Sequence, residues 1–356
     1  MMSNTTAADL ILVFDAGTQS VRAALIDPQG EIQALEKTPL EPYHAPQPGW
    51  AELDPEHYWQ QLCATSRRLL GRRDVDASRI AGVTLTTQRN TVINLDADGR
   101  PLRPAIMWLD QRRATEDVRL TPLLHGALSL AGKAATALNA MRDCKSNWIR
   151  QHQPEVWRQT AKFLFLSGFL THRLTGAYAD SAANMVGYVP FDFKRHRWAG
   201  ALDLKWKLFP MEAHVLPDLV APGEALGTIT AAAAADSGIP SGLCVIAAAT
   251  DKACEVLGAG CRSPETACLS YGTTATINTA NTRYVELKPL LPPYPAAMPK
   301  AYTTEVIVYR GFWMVSWFKQ EFGLREAQVA AERQVAVEAL FDELIAEVPP
   351  GCQGLT

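Results

Sequence analysis

Residues 10–35 constrain this chain more than any other stretch. Leu10-Ile11-Leu12-Val13-Phe14 is a short apolar run ending at Asp15, and Ala16-Gly17-Thr18-Gln19-Ser20 follows, with Gly17 suited to a turn. Residues 21–26 form a second apolar run. Asp27-Pro28-Gln29-Gly30 is a strong turn signal, and residues 31–35 alternate in polarity. The pattern predicts an antiparallel meander. A dinucleotide-binding Rossmann unit opens differently, with a strand that feeds a helix.

The corner has an echo. Cys268-Leu269-Ser270-Tyr271 is an apolar strand that runs into Gly272-Thr273-Thr274 and then a second strand. Two Gly-Thr corners between strands predict two related halves, the second much shorter after its corner than the first. With 356 residues, the chain is long enough for two or three domains. Between the corners, Asp54-Pro55-Glu56 opens a helix with Asp54 as cap, and Trp59, Leu62, Cys63, Ser66, Leu69 and Leu70 recur on one face. Residues 80–87 read as a strand, residues 114–174 read mostly as helices closed by Thr175-Gly176, and residues 178–193 read as the lining of a cleft. Residues 243–250 read as a strand ending at Asp251.

Charge narrows the partners. Lys plus Arg is 34 and Asp plus Glu is 37, for a net charge of −3. Such a balance offers no general attraction to nucleic acid or to an anionic membrane. Residues 1–9 lack the basic and apolar regions of a signal peptide, and no apolar run can span a bilayer. The seven cysteines include no C-x-x-C pair, so reduced thiols in a cytoplasmic protein are expected.

A Gly-Thr corner presents backbone N–H groups with no bulky side chain over them, a concavity suited to phosphate oxygens. The alternative is a tight hairpin that needs glycine for its geometry. Asp15 beside such a corner repels phosphate unless a cation lies between, and Mg²⁺ needs only one or two carboxylates; otherwise Asp15 bonds the turn backbone. Asp251, at a strand end, is placed either to accept a hydroxyl proton or to cap the helix that begins at Lys252. Gln88, Arg89, Asn90, Trp108, Asp110 and Arg112 combine amide, guanidinium and carboxylate groups with an aromatic face, as a polyhydroxylated ligand requires; a solvated loop around a core Trp is the other reading.

The chain resembles the FGGY family of carbohydrate kinases. The resemblance rests on residues 14–22, Gly49-Trp50-Ala51-Glu52, Thr87-Gln88-Arg89-Asn90, Trp108-Leu109-Asp110-Gln111-Arg112-Arg113, residues 170–176, Ala249-Thr250-Asp251-Lys252-Ala253 and Tyr271-Gly272-Thr273-Thr274. Their order fits the family from about residue 9 onward. It implies an α/β, actin-like (hexokinase-type) ATPase fold with two domains around a cleft: residues 9–260 as the N-terminal, sugar-binding domain and 261–356 as part of the C-terminal, nucleotide-binding domain. It also implies ATP-dependent phosphorylation of a sugar or polyol hydroxyl. Asp251 then matches the catalytic base and Asp15 the Mg²⁺-linked carboxylate. Gly17, Thr18 and Ser20 match the first phosphate loop, and Gly272, Thr273 and Thr274 the second. Gln88, Arg89, Asn90, Trp108 and Asp110 match the sugar-contacting segments. The expected partner is a small sugar or polyol, with neither nucleic acid nor membrane, and a homodimer is among the assemblies allowed.

The chain departs from the family in three places. Glycerol kinases carry Arg-Glu at Arg89-Asn90 and Asp-Gln at Asp251-Lys252, and xylulokinases carry Met-His near the first of these. Lys252 beside Asp251 is expected to lower the pKa of the base or to bind an acidic substrate. The family's later Gly-rich adenine segment has no counterpart before Thr356, so the second domain reads as truncated. That leaves a non-catalytic sugar-binding or regulatory protein on the same scaffold as the alternative, with an actin-like or chaperone-like ATPase third.

Overall fold

The computed structural model describes residues 8–115, 119–271, 275–288, 291–308, 311 and 313–354. The second Gly-Thr corner, Gly272, Thr273 and Thr274, lies outside the described residues. Contacts divide the chain into two compact units, one of Met1–Thr266 with Ala280–Thr304, the other of Ala267–Thr279 with Glu305–Thr356.

The first unit opens with β1 (Leu10–Ala16), β2 (Ser20–Ile26) and β3 (Ile32–Pro39), the antiparallel meander read from the sequence. Then come β4 (Glu52–Leu53), α1 (Pro55–Leu70), β5 (Ile80–Thr87), β6 (Val92–Leu95) and β7 (Ala105–Ile106). A helical stretch follows: α2 (Pro122–Leu130), α3 (Ala134–Asp143), α4 (Lys145–His152) and α5 (Pro154–Gln159). It is broken by β8 (Lys162–Phe165) before α6 (Leu166–Thr175). β9 (Ala179–Ser181), β10 (Phe191–Asp192), β11 (Arg197–Trp198), α7 (Lys205–Leu208), β12 (Asp218–Val220), β13 (Ala225–Thr228), α8 (Ala231–Ser237), β14 (Cys244–Ala247) and α9 (Asp251–Gly258) complete the unit's main run.

The principal sheet has the order β13-β14-β5-β1-β2-β3. β1, β5 and β14 run parallel, with β2 and β3 added antiparallel on one side and β13 on the other. Period-two alternation buries Leu10, Leu12, Phe14 and Ala16 of β1 on one face. Across that face lies α1, whose Tyr58, Trp59, Leu62, Cys63 and Leu69 join the same core as Phe169 and Leu170 of α6. Asp54 caps α1 by accepting the Glu56 N–H at 2.9 Å, with Pro55 in the first turn. Gly176 closes α6 in the left-handed region, φ 75°.

A second sheet, β4-β7-β6-β8, supports a separate core that includes Val92, Ile106, Trp148, Phe163 and Phe165. The mostly helical reading of residues 114–174 holds, with one strand that it did not foresee. Lys162-Phe163-Leu164-Phe165 pairs with β6 as a strand, and four residues are too few for periodicity to distinguish strand from helix. Residues 178–193 are also not cleft lining for the most part: residues 179–186 are all buried. There the Asp180 carboxylate accepts hydrogen bonds from Ser167 Oγ (2.7 Å), Asn184 Nδ2 (2.8 Å) and the Ser181 N–H (2.7 Å).

In the second unit, β15 (Cys268–Tyr271) and β16 (Ala275–Asn281) form an antiparallel hairpin that pairs Tyr271 with Ala275. The chain re-enters the first unit for β17 (Tyr294–Pro295), paired with the start of β18 (Tyr302–Val308). Helices α10 (Trp313–Phe322), α11 (Leu324–Arg333) and α12 (Val337–Ala346) follow. Among the described residues no cysteine forms a disulfide. Among the described residues, no helix is long and apolar enough to cross a membrane.

Candidate active site

Three parallel strands of the principal sheet finish at one edge. Ala16 of β1 lies beside Thr87 of β5, and Leu85 beside Ala247 of β14. The chain leaves these ends as Gly17-Thr18, as Gln88-Arg89-Asn90 and, after Thr250, as Asp251. Two β5 hydroxyls hold the third strand in place: Thr84 Oγ1 donates to the Ile246 carbonyl (2.9 Å) and Thr86 Oγ1 to that of Ala249 (2.8 Å). Ligands of open α/β sheets bind at such carboxyl ends, where loops replace strand pairing.

At the first corner the Gly17 N–H donates to the Ser20 carbonyl at 3.1 Å, and Ser20 is buried as the first residue of β2. Gly17 has no positive φ, and a Cβ added to it meets only that carbonyl, at an ordinary 3.6 Å. Neither backbone conformation nor packing therefore demands glycine at this position. Among the described residues, the N–H groups of Thr18 and Gln19 have no protein acceptor. The Thr18 hydroxyl donates to Gln88 Oε1 at 2.6 Å and accepts from Trp108 Nε1 at 2.8 Å. Gln88 is buried and passes the chain inward, its Nε2 donating to the Tyr58 hydroxyl at 2.6 Å. Trp108 ends this relay with nearly half its surface, 47%, exposed.

Asp15 pairs across the hairpin with Arg22, Oδ2 to Nη1 at 2.6 Å, rather than bonding the turn backbone. Its Oδ1 has no donor among the described residues. Asp251 is the first residue of α9, but the cap is Thr250, whose Oγ1 accepts the Ala253 N–H. The capping alternative for Asp251 is thereby corrected. Among the described residues its carboxylate accepts only the neighbouring Lys252 N–H, at 2.7 Å. Burial pushes the Asp251 carboxyl above its ordinary range, against the Lys252 N–H and the charges of Arg89 and Lys252, while the charge of Asp15 pushes the same way as burial. Lys252 does act on this carboxyl in the expected direction, lowering it through its N–H and its charge, but desolvation outweighs both, and the Lys252 ammonium lies 2.6 Å from Glu255 Oε2. Arg89 also stacks its guanidinium over the Tyr294 ring, 5.3 Å from the centroid, a partner from a distant segment of the chain.

Asp110 occupies a different environment. Its side chain is fully buried, and its two oxygens accept from the Ala51 N–H (2.6 Å), the Arg112 N–H (2.9 Å), Arg112 Nε (2.7 Å) and Arg112 Nη2 (2.7 Å). Four bonds fill the acceptor capacity of a carboxylate. Arg112 in turn donates to Glu52 at 2.8 Å, lies over the Trp50 and Trp148 rings at 3.9 and 4.7 Å, and shares Glu52 with Arg103. Asp110 and Arg112 thus brace the segment that carries Trp108. Asn90 takes the left-handed conformation, φ 54°, and the buried Lys145 donates both to its carbonyl (2.5 Å) and to that of Met107 (2.8 Å). Nothing in the polar turn Lys145-Ser146-Asn147 marks this lysine as buried.

For a divalent cation, the described residues offer no group of three or more His, Cys, Asp or Glu side chains. They do offer Asp15 at the first corner, whose Oδ2 is held by Arg22 while Oδ1 has no donor among them. That fits Mg²⁺, which takes one or two carboxylates and keeps the rest of its shell for water and phosphate.

The FGGY family of carbohydrate kinases, N-terminal domain, matches residues 10–258. The uncharacterized sugar kinase YgcE of Escherichia coli K12 is 31% identical over 348 residues, covering 97% of this chain and 63% of the relative. A Lactococcus lactis xylulose kinase is 24% identical over 348 residues, covering 97% of this chain and 66% of its own. The chain thus spans less than two-thirds of the length of these relatives. The solved xylulose kinase from Rhodospirillum rubrum superposes with a TM-score of 0.78 at 25% identity, covering 96% of this chain and 68% of that one. Plasmodium falciparum glycerol kinase with ADP gives 0.73 at 20% identity, covering 92% and 66%. These likenesses show the actin-like ATPase fold, and the match across residues 10–258 makes the chain a member of the FGGY family of carbohydrate kinases.

Proposed function

We propose that this chain carries the sugar-binding and base-bearing part of an ATP-dependent sugar or polyol kinase. The observation that carries the reading is the state of Asp251: relieved of capping by Thr250, held among the described residues by a single backbone N–H, raised in pKa by burial and acted on by the charges of Arg89 and Asp15. A general base needs a pKa moved toward working pH and a free lone pair facing the proton it takes. In this reading Asp251 accepts the proton of the attacking hydroxyl as that oxygen bonds to the γ-phosphorus and the bond to the β-phosphate oxygen breaks.

The remaining groups take supporting roles. The exposed face of Trp108 stacks on the apolar C–H face of the ligand, and Arg89 and Asn90 give directional hydrogen bonds. Gln88 and Asp110 act from beneath, Gln88 by fixing Thr18 and Asp110 by fixing Arg112. The N–H groups of Thr18 and Gln19, over the bare Gly17, receive phosphate oxygens, with Ser20 closing the turn; Gly272, Thr273 and Thr274 are assigned to the second phosphate corner on resemblance alone. Asp15 would hold Mg²⁺, which when bound neutralises phosphate charge, and Asp251 is left as the base. Residues 9–260 then form the sugar-binding domain, and residues 261–356 belong to the nucleotide-binding domain.

Relatives named xylulose kinase, gluconate kinase and glycerol kinase make a ketose, a sugar acid and a polyol the first probes. The test is ADP release with xylulose, gluconate and glycerol, alongside calorimetry with each. Turnover that falls about 10²- to 10⁴-fold in Asp251→Asn while sugar binding persists supports the assignment. Sugar binding with neither nucleotide binding nor ADP release favours the non-catalytic alternative. Absence of both overturns the reading of the site.

A further inference from the structure

Lys145 is a lysine in an adverse place. It is 5% exposed, and it opens α4, where the positive end of the helix disfavours a cation. Arg112, a second cation, lies near enough to act against it; Asp110 acts in its favour, and burial draws its pKa down to about 7. An apolar side chain of the same length would avoid all three penalties.

What the ammonium does instead is hold two carbonyls. One belongs to Asn90, at 2.5 Å, and the other to Met107, at 2.8 Å. These carbonyls lie in different segments, one after β5 and the other after β7. The first is a left-handed residue whose conformation costs free energy without outside support. Gly187 leaves room on the side-chain side, since a Cβ there would lie 2.9 Å from Asn90 Oδ1. The second carbonyl immediately precedes Trp108. A single charged group thus sets the spacing between the Arg89-Asn90 turn and the half-exposed indole.

We propose that Lys145 is a positioning residue for sugar recognition, clamping the Asn90 turn and the Trp108 platform at the separation the ligand requires. The inference rests on the reading of Asn90 and Trp108 as sugar-facing groups. Lys145 itself touches neither the ligand nor the reacting atoms. Its loss should therefore weaken capture of the sugar more than it slows a saturated site.

The experiment compares wild type, Lys145→Met and Lys145→Arg by calorimetry with xylulose, gluconate and glycerol. ADP-release kinetics supply the split between KM and kcat. The expected result for Lys145→Met is a sugar Kd and KM raised at least 10-fold, kcat within about 3-fold of wild type, and a folded urea transition. Lys145→Arg, which keeps the charge and the donors, should recover part of the affinity. If Lys145→Met does not fold, Lys145→Gln provides the same comparison with a shorter donor. A neutral variant that binds sugar as tightly as wild type overturns the role of Lys145 alone. A wild type that binds none of the three probes overturns the reading of the site, and the clamp with it.

Discussion

The indole N–H of Trp108 donates to the hydroxyl of Thr18 at 2.8 Å, joining residues 90 positions apart in the sequence. One belongs to the loop assigned to phosphate and the other is the aromatic platform assigned to the sugar. Because the Thr18 proton goes to Gln88 and its acceptor site to Trp108, the hydroxyl is a structural joint before it is a ligand contact.

Thr18→Val cuts the joint at nearly constant volume. It leaves the Trp108 N–H and the Gln88 carbonyl without their partner, and each such bond contributes about 0.5–1.5 kcal/mol. Sugar affinity should fall about 3- to 10-fold, with Thr18→Ser close to wild type. Calorimetry and the quenching of Trp108 against a Trp108→Phe background measure it. Unchanged sugar affinity in Thr18→Val would show that the platform does not depend on the loop.

Gly17→Ala separates a ligand role from a structural one. The position has no positive φ and ordinary clearance for a Cβ. Stability should therefore stay level or rise by about 0.4–1 kcal/mol through reduced freedom of the unfolded chain. Nucleotide KM should rise about 10-fold or more because the methyl stands where phosphate approaches. A destabilised protein with normal nucleotide affinity would mark glycine as a requirement of the hairpin.

The meander at residues 10–35, the α1 stripe and the Gly176 stop were readable because each is written in local patterning or turn chemistry. β8 was not, since its partner β6 lies some seventy positions upstream and four residues carry no period. At the site, residue types were legible but their partners were not. Nothing local distinguishes Asp110, with four donors around it, from Asp251, with one. The same holds for Thr250, which took the cap that Asp251 could have supplied. Lys145 was invisible because its function lies in two carbonyls from distant segments.

Arg112 offers a stability test independent of catalysis. It satisfies the buried Asp110 carboxylate through three donors and Glu52 through a fourth, while its plane lies over Trp50. Removing one partner of a buried pair leaves the other charge uncompensated, at a cost of about 3–5 kcal/mol. Arg112→Met should lose about that much in urea unfolding. Arg112→Lys should regain only part, since an ammonium cannot reproduce the planar fork. A loss under about 1 kcal/mol for Arg112→Met would mean that the network contributes little to the fold.

Asp251 makes opposite demands on folding and on chemistry, and pH separates them. Its carboxyl titrates above the ordinary 3.8 in the folded chain because burial disfavours the charge. Between 3.8 and the folded value the native state therefore holds more protons than the unfolded state, so stability from this group falls as pH rises through that window and is lower above it. Asp251→Asn, neutral throughout, should lack that fall and unfold at higher urea than wild type near neutral pH. The same group, as base, should give kcat/KM an acid limb above the usual aspartate range. Asp15→Asn removes a charge that raises this pKa and should move the limb to lower pH; Arg89→Gln removes one that lowers it and should move the limb to higher pH. Thr250→Ala is the control: loss of the cap should cost about 1 kcal/mol of stability while leaving the limb in place. A limb that ignores both charge variants would exclude Asp251 as the titrating base.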